Sequence, residues 1–79
     1  MKVVYESAAL KALSRMPIRD SKALRSKLRT YAETGVGDVT RLVSCPGEWR
    51  LRHGDWRAVF IIEGDIVVIK IAHRREIYR

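Results

Sequence analysis

The sequence predicts an α+β fold: an N-terminal strand, then a two-helix hairpin packed on a twisted antiparallel sheet that ends in a three-stranded meander. Three observations carry this prediction. A short β-branched run opens the chain. Two stretches with helical apolar spacing follow, divided by Pro17 and closed by Gly35. From residue 39 the pattern turns extended, and Gly-Asp pairs separate the last three segments.

Residues 2–5, rich in valine and ending on Tyr5, read as a strand. Ser7 has the chemistry of an N-cap, because its hydroxyl can accept a bond from a free N–H of the first turn. Leu10, Leu13 and Met16 then recur at helical spacing until Pro17, which cannot donate a backbone bond, interrupts. A second helix begins near residues 18–20. Its Leu24, Leu28, Tyr31 and Ala32 lie on one stripe, and Gly35 ends it at the C′ position. Lys22, Arg25, Lys27 and Arg29 occupy its other faces, where a basic surface is ordinarily just solvated. Residues 39–43 form a short strand candidate and 44–48 a loop holding Pro46 and Gly47. Strands are expected near 49–53, 56–63 and 66–73. With no linker, repeat or low-complexity tract, residues 1–79 read as one domain.

The chain carries a net charge of +7 and a pI near 10.2, and 11 of its 16 cationic residues are arginine. That balance favours a polyanionic partner, and planar, bidentate recognition of phosphate or carboxylate. Cys45 is the only cysteine, so no internal disulfide forms; a reducing cytoplasm fits, and Cys45 reads as a small loop hydrophobe. The N-terminus lacks the apolar segment of a signal peptide, and the longest apolar run, residues 58–62, is too short to span a bilayer. His53 and His73 have no cysteine or carboxylate at ligand spacing, so neither a metal nor a cofactor is signalled.

The stretch WRLRHGDWRAVF, residues 49–60, places Arg50, Arg52 and Arg57 among strand-forming residues. Two-residue turns at Gly54-Asp55 and Gly64-Asp65 would set Arg52 opposite Arg57, Leu51 opposite Ala58, and Arg57 opposite Ala72. One sheet face then holds Trp49, Leu51, Ala58, Phe60, Ile62, Val67, Ile69 and Ile71, an apolar surface for the helices. The other holds Arg50, Arg52, Arg57 and Lys70, joined by Arg74 if the last strand continues, over a floor of Val59, Ile61 and Val68. A turn one residue longer or shorter reverses this parity. Cations two apart on a strand lie only about 7 Å from each other, so the cluster needs a counter-charge. Arginines guarding an edge strand would explain one strand but not cations from three; a phosphate site on rigid strands explains all. The closing HRREIYR adds His73, able to move protons near neutral pH, and Tyr78, able to stack on a base.

Taken together, WRLRHGDWRAVF and IVVIKIAHRREIYR resemble the RelE/ParE superfamily of type II toxin–antitoxin toxins, closer to its RelE mRNA interferase branch. The resemblance spans nearly the whole chain. It implies a small cytoplasmic toxin, neutralised in an oligomeric complex by a cognate antitoxin, that enters the ribosome and cuts mRNA without metal or cofactor. In that chemistry the RNA's own 2′-hydroxyl attacks the adjacent phosphate. By motif, Arg50 and Arg52 fall where RelE-type toxins use basic residues, Arg57 matches the arginine on the scissile phosphate, Arg74 the one that protonates the leaving 5′-oxygen, and Tyr78 the tyrosine that orients a base. His73 occupies the histidine of the HRRE motif. Arginine replaces lysine at 50 and 52, and arginine does not shed its proton; either His73 or Glu48 then serves as base, or the site works by electrostatic stabilisation alone. The rival expectation is a ParE-like inhibitor of DNA gyrase with no RNase activity, and a third is a non-enzymatic nucleic-acid binder.

Overall fold

The computed structural model describes residues 1–77. The chain runs β1 (Val3–Tyr5), α1 (Ser7–Arg15), α2 (Ile18–Thr34), β2 (Val39–Arg41), β3 (Trp49–His53), β4 (Trp56–Glu63), β5 (Asp65–His73) and the one-turn α3 (Arg74–Ile77). Five strands form one sheet in the order β1-β5-β4-β3-β2. β2 to β5 are antiparallel, as expected, but β1 joins β5 in parallel, so the sheet is mixed. No tight turn links β1 to a neighbour, so nothing local in the sequence set its direction.

The helices form where the apolar spacing places them, with two local shifts. Ser7 is the first residue of α1 rather than its cap. Glu6 holds the cap position, makes no side-chain bond there, and donates its backbone N–H to the Val68 carbonyl at 2.9 Å, tying the helix start to the sheet. The buried positions are Ala9 and Leu13 of α1 and Met16 at its C-cap; the expected Leu10, next to Ala9, is exposed. In α2, Leu24, Leu28 and Ala32 are buried as expected, and the Tyr31 ring meets Phe60 of β4 at 5.7 Å. Gly35 ends α2 at φ +76°, a left-handed cap that only glycine enters without penalty, and donates to the Tyr31 carbonyl at 2.8 Å.

The first hairpin has the expected register: His53 pairs with Trp56, Arg52 with Arg57, Leu51 with Ala58. The second does not begin as expected. Glu63 pairs with Asp65, so Gly64 alone, at φ +72°, makes the turn. This reversal of parity turns Ile66 and Val68 toward the helices, where both are fully buried, and Val67 away from them. The register then shifts: Phe60 pairs with Val68 but Val59 with Lys70, which leaves Ile69 as a bulge. Past Ile69 the expected pairing returns, with Arg57 opposite Ala72 and Trp56 opposite His73. The expected faces of Val67, Val68 and Ile69 are thereby corrected, while those of Lys70 and Ile71 stand. Arg74 does not extend the strand; it opens α3.

The core between helices and sheet centres on Leu24, Leu28, Leu51, Phe60, Ile66 and Val68, all fully buried. Among the described residues no helix is long and apolar enough to cross a membrane. Truncating the central ring, Phe60→Ala, is expected to cost about 3–5 kcal/mol, read as a fall in the urea midpoint. Tyr5, half-buried against α2, gives a second expectation. Burial pushes its phenol above the ordinary value of 10.0, opposed by the nearby Arg25 and Arg29 guanidiniums. A raised folded-state value means that the unfolded chain ionises first. Stability from this group is complete below the unfolded value and declines as pH rises from there through the folded one. As pH rises past about 10, urea midpoints of the wild type are expected to fall more steeply than those of Tyr5→Phe.

Candidate nucleic-acid interface

The sheet face turned away from the helices carries two rows of side chains set by the register. One row is Thr40, Arg50, Val59 and Lys70; the next is Arg52, Arg57 and Ala72. Arg50, Arg52 and Arg57 line one depression of about 220 Å³ with Asp38 and Thr40. A wider groove of about 650 Å³ adjoins it, sharing Thr40 and Arg50 and adding Lys70 and Glu48 over an aliphatic floor that includes Val59 and Ile69. Val59 is buried without belonging to the core between helices and sheet, which fits a floor covered by long cationic side chains. Exposed Cys45 sits on the lip of this groove.

The arginines of the depression are held, not splayed. Arg52 donates from Nε to Asp38 Oδ2 at 2.7 Å, and its backbone N–H donates to the Asp38 carbonyl at 2.9 Å. Arg57 donates from Nη1 to the carbonyls of Gly54 at 2.7 Å and Trp56 at 3.0 Å, which folds its guanidinium back toward the β3–β4 turn. Asp38 is the counter-charge that the cluster needed and that the sequence reading did not name. It faces Arg52 because the β2–β3 pairing, Val39 with Leu51, extends one residue further. Glu48 reaches the groove because the loop before β3 closes on itself: its N–H donates to the Cys45 carbonyl, and its carbonyl accepts from Leu42 N–H, both at 3.0 Å.

The C-terminal residues reach the other side. His53, Trp56 and His73 form one row across three strands. His53 Nε2 lies 3.3 Å from Asp20 Oδ1 on α2, so the row faces the helices, not the arginines. His73 stands edge-on to the Trp56 ring at 5.4 Å, and its Nδ1 accepts from the Arg75 N–H at 3.3 Å. Arg74 comes back to the β3–β4 turn: its N–H donates to the Asp55 carbonyl at 2.6 Å and its Nη1 lies 3.8 Å from Asp55 Oδ1. The fold therefore gathers Arg50, Arg52 and Arg57 and brings Arg74 to the turn that also receives Arg57; His73 stands in the helix-side row, its Nε2 3.9 Å from Oδ2 of the same Asp55 that Arg74 approaches. Tyr78 lies outside the described residues. Among the described residues, no three of His, Cys, Asp and Glu come together as metal ligands.

The family pattern described as the ParE toxin of the type II toxin–antitoxin system, parDE, matches residues 3–78. The chain belongs to this toxin family. Three solved structures share the toxin's fold. The RelB-RelE antitoxin–toxin complex of Methanococcus jannaschii superposes at TM-score 0.79 with 19% identity, covering 95% of this chain and 94% of that one. The intact Escherichia coli RelBE complex gives 0.72 and 20%, covering 91% and 94%. The RelBE2 complex of Mycobacterium tuberculosis gives 0.65 and 21%, covering 95% and 92%. At these identities the likeness is one of fold. No curated protein sequence matches the chain.

Because Arg52 and Asp38 are both more than half exposed (61% and 54%), their pair aims a guanidinium more than it holds the sheet together. Asp38→Asn is expected to change the unfolding free energy by less than about 1 kcal/mol in urea titrations. A loss of several kcal/mol would show that Asp38 is instead a strut of the fold.

Proposed function

We propose that this toxin is a ribosome-dependent mRNA endonuclease. The observation that supports it is the convergence of three guanidiniums from adjacent strands on one depression, beside a groove whose only lining carboxylate among the described residues is Glu48. A backbone phosphate seated there would meet a set of donors that keep their charge throughout the reaction.

The 2′-oxygen attacks the neighbouring phosphorus, and its proton passes to the Glu48 carboxylate. Arg50, Arg52 and Arg57 stabilise the extra negative charge of the five-coordinate phosphorane. The P–O5′ bond then breaks, leaving a 2′,3′-cyclic phosphate. The departing 5′-oxygen takes a proton from solvent water, with Arg74 beside it to lower the cost of the developing charge, and Glu48 returns its proton to the solvent. Glu48 is preferred to His73 as the base because Glu48 lines the groove that shares Arg50 with the depression, whereas His73 belongs to the helix-side row and turns its Nε2 to Asp55. His73 instead braces the start of α3 through the Arg75 N–H. Tyr78 carries the base-orienting role. The solved relatives are toxin–antitoxin complexes, and the partner proposed for this chain in the cytoplasm is an antitoxin that brings acidic or amphipathic structure over the cation face.

A second reading has specific support. The matching pattern is that of ParE toxins, and the Arg52 and Arg57 guanidiniums already have intramolecular partners. On that reading the same surface docks on DNA gyrase and cuts nothing. Purified toxin given programmed ribosomes in one tube and supercoiling gyrase in another separates the two. Arg57→Ala is expected to lower mRNA cleavage by about 10²–10³ while leaving the urea midpoint close to wild type. Undiminished cleavage by that folded variant, or gyrase inhibition with inert ribosomes, overturns the nuclease reading.

A further inference from the structure

A second cation cluster lies at the opposite edge of the sheet, where β1 meets α2. A cleft of about 430 Å³ there is lined by Lys2, Tyr5, Arg25, Arg29 and Glu33, among others. The Arg25 guanidinium sits over the Tyr5 ring, 5.3 Å from its centroid. Stacking of this kind fixes the plane of the guanidinium and leaves its in-plane N–H groups directed at other partners. Arg29 follows one turn along α2, on the same side.

Like charges one turn apart on a helix repel by a few tenths of a kcal/mol, so such a pair is a cost unless something offsets it. Glu33, one turn beyond Arg29, and Asp65, whose Oδ1 accepts from the Lys2 backbone N–H at 3.0 Å, are the nearby carboxylates. Among the described residues, neither Arg25 nor Arg29 forms an ion pair with either of them. That sets this cluster apart from the depression on the other side, where Arg52 is tied to Asp38 and Arg57 to turn carbonyls. The Tyr5 hydroxyl, which also lines the cleft and is protonated near neutral pH, adds a neutral donor.

We infer that the β1–α2 cleft is a binding site for the phosphodiester backbone of RNA, separate from the arginine depression and placed at the other edge of the sheet. The shape of the charge argues for a chain of phosphates rather than one small anion. Lys22, Arg25 and Arg29 fall on one stripe of α2 and run for about 10 Å along its axis, a line rather than a pocket. Phosphate is assigned from this geometry alone; the choice of RNA over DNA rests on the nuclease reading above. The toxin would then grip RNA at two places, with cleavage at one and anchorage at the other.

The test is fluorescence anisotropy with a short labelled RNA hairpin, titrated at several salt concentrations. The double variant Arg25→Gln/Arg29→Gln replaces two exposed side chains, and circular dichroism checks that it folds as the wild type does. It is expected to bind more weakly, with a slope of log K against log salt shallower by about 1.5, two phosphate contacts having been removed. Arg25→Lys is expected to keep most of the slope but lose affinity, because lysine retains the charge without the planar stack. An unchanged affinity and slope in the double variant overturns the site. An equal loss on a DNA hairpin of the same sequence overturns its assignment to RNA. The two readings fail separately. A wild type that cuts no mRNA, beside a double variant that shows the slope change, defeats the nuclease and leaves the phosphate site, its assignment to RNA then resting on the hairpin comparison; an Arg57→Ala variant that stops cutting, beside a double variant that binds normally, does the reverse.

Discussion

The pairing of Leu51 with Ala58 and of Arg52 with Arg57 across the Gly54–Asp55 turn is the constraint from which the rest of the molecule follows. Once these pairs form, alternation assigns every neighbouring side chain to one side of the sheet or the other. The apolar side is covered by Leu24 and Leu28 of α2 and by Ala9 and Leu13 of α1. Burial of a large apolar side chain contributes about 1.5–3 kcal/mol, and that stabilisation holds the sheet flat against the helices. The arginines are displayed as a by-product, since the register that buries Leu51 has no other place for Arg50 and Arg52.

Crowding cations on a small sheet works against folding, and the structure shows how the repulsion is contained. Asp38 takes one guanidinium and the turn carbonyls of Gly54 and Trp56 take another. These contacts are exposed or half-exposed and individually weak. Their value is geometric: they hold the donor groups near one another before a ligand arrives, so less ordering is left to be done on binding. A phosphate that enters must compete with a carboxylate and two carbonyls, all of which it can replace with charge-assisted bonds.

Much of this was legible in the sequence. The helices announce themselves through Leu24, Leu28 and Ala32 and through Pro17 and Gly35, whose effects are local. The first hairpin was legible because Gly54 and Asp55 lie between two strongly alternating runs. The direction of β1 was not, because its partner lies more than sixty residues away and no turn links them. Asp38 was hidden for a related reason: the loop from 42 to 48 does not by its length dictate how β2 aligns with β3. The side of the sheet taken by His73 was within reach, since the expected register already set it opposite Trp56, a residue of the helix side. The motif HRREIYR drew it toward the arginines instead.

Gly64 and Ile69 are linked by arithmetic rather than by contact. The turn is one residue shorter than a two-residue loop, and the bulge at Ile69 returns that residue before the pairs of Lys70 with Val59 and of Ala72 with Arg57 are reached. The two irregularities therefore cancel for everything near the arginines and matter only for Ile66 to Ile69. Chains built on this plan can lengthen the turn and lose the bulge together without moving a single cation. A change at one place alone would turn Lys70 inward, whereas the joint change only exchanges Ile66 and Val68 for Val67 and Ile69 on the helix side, so the two positions are free to vary only as a couple.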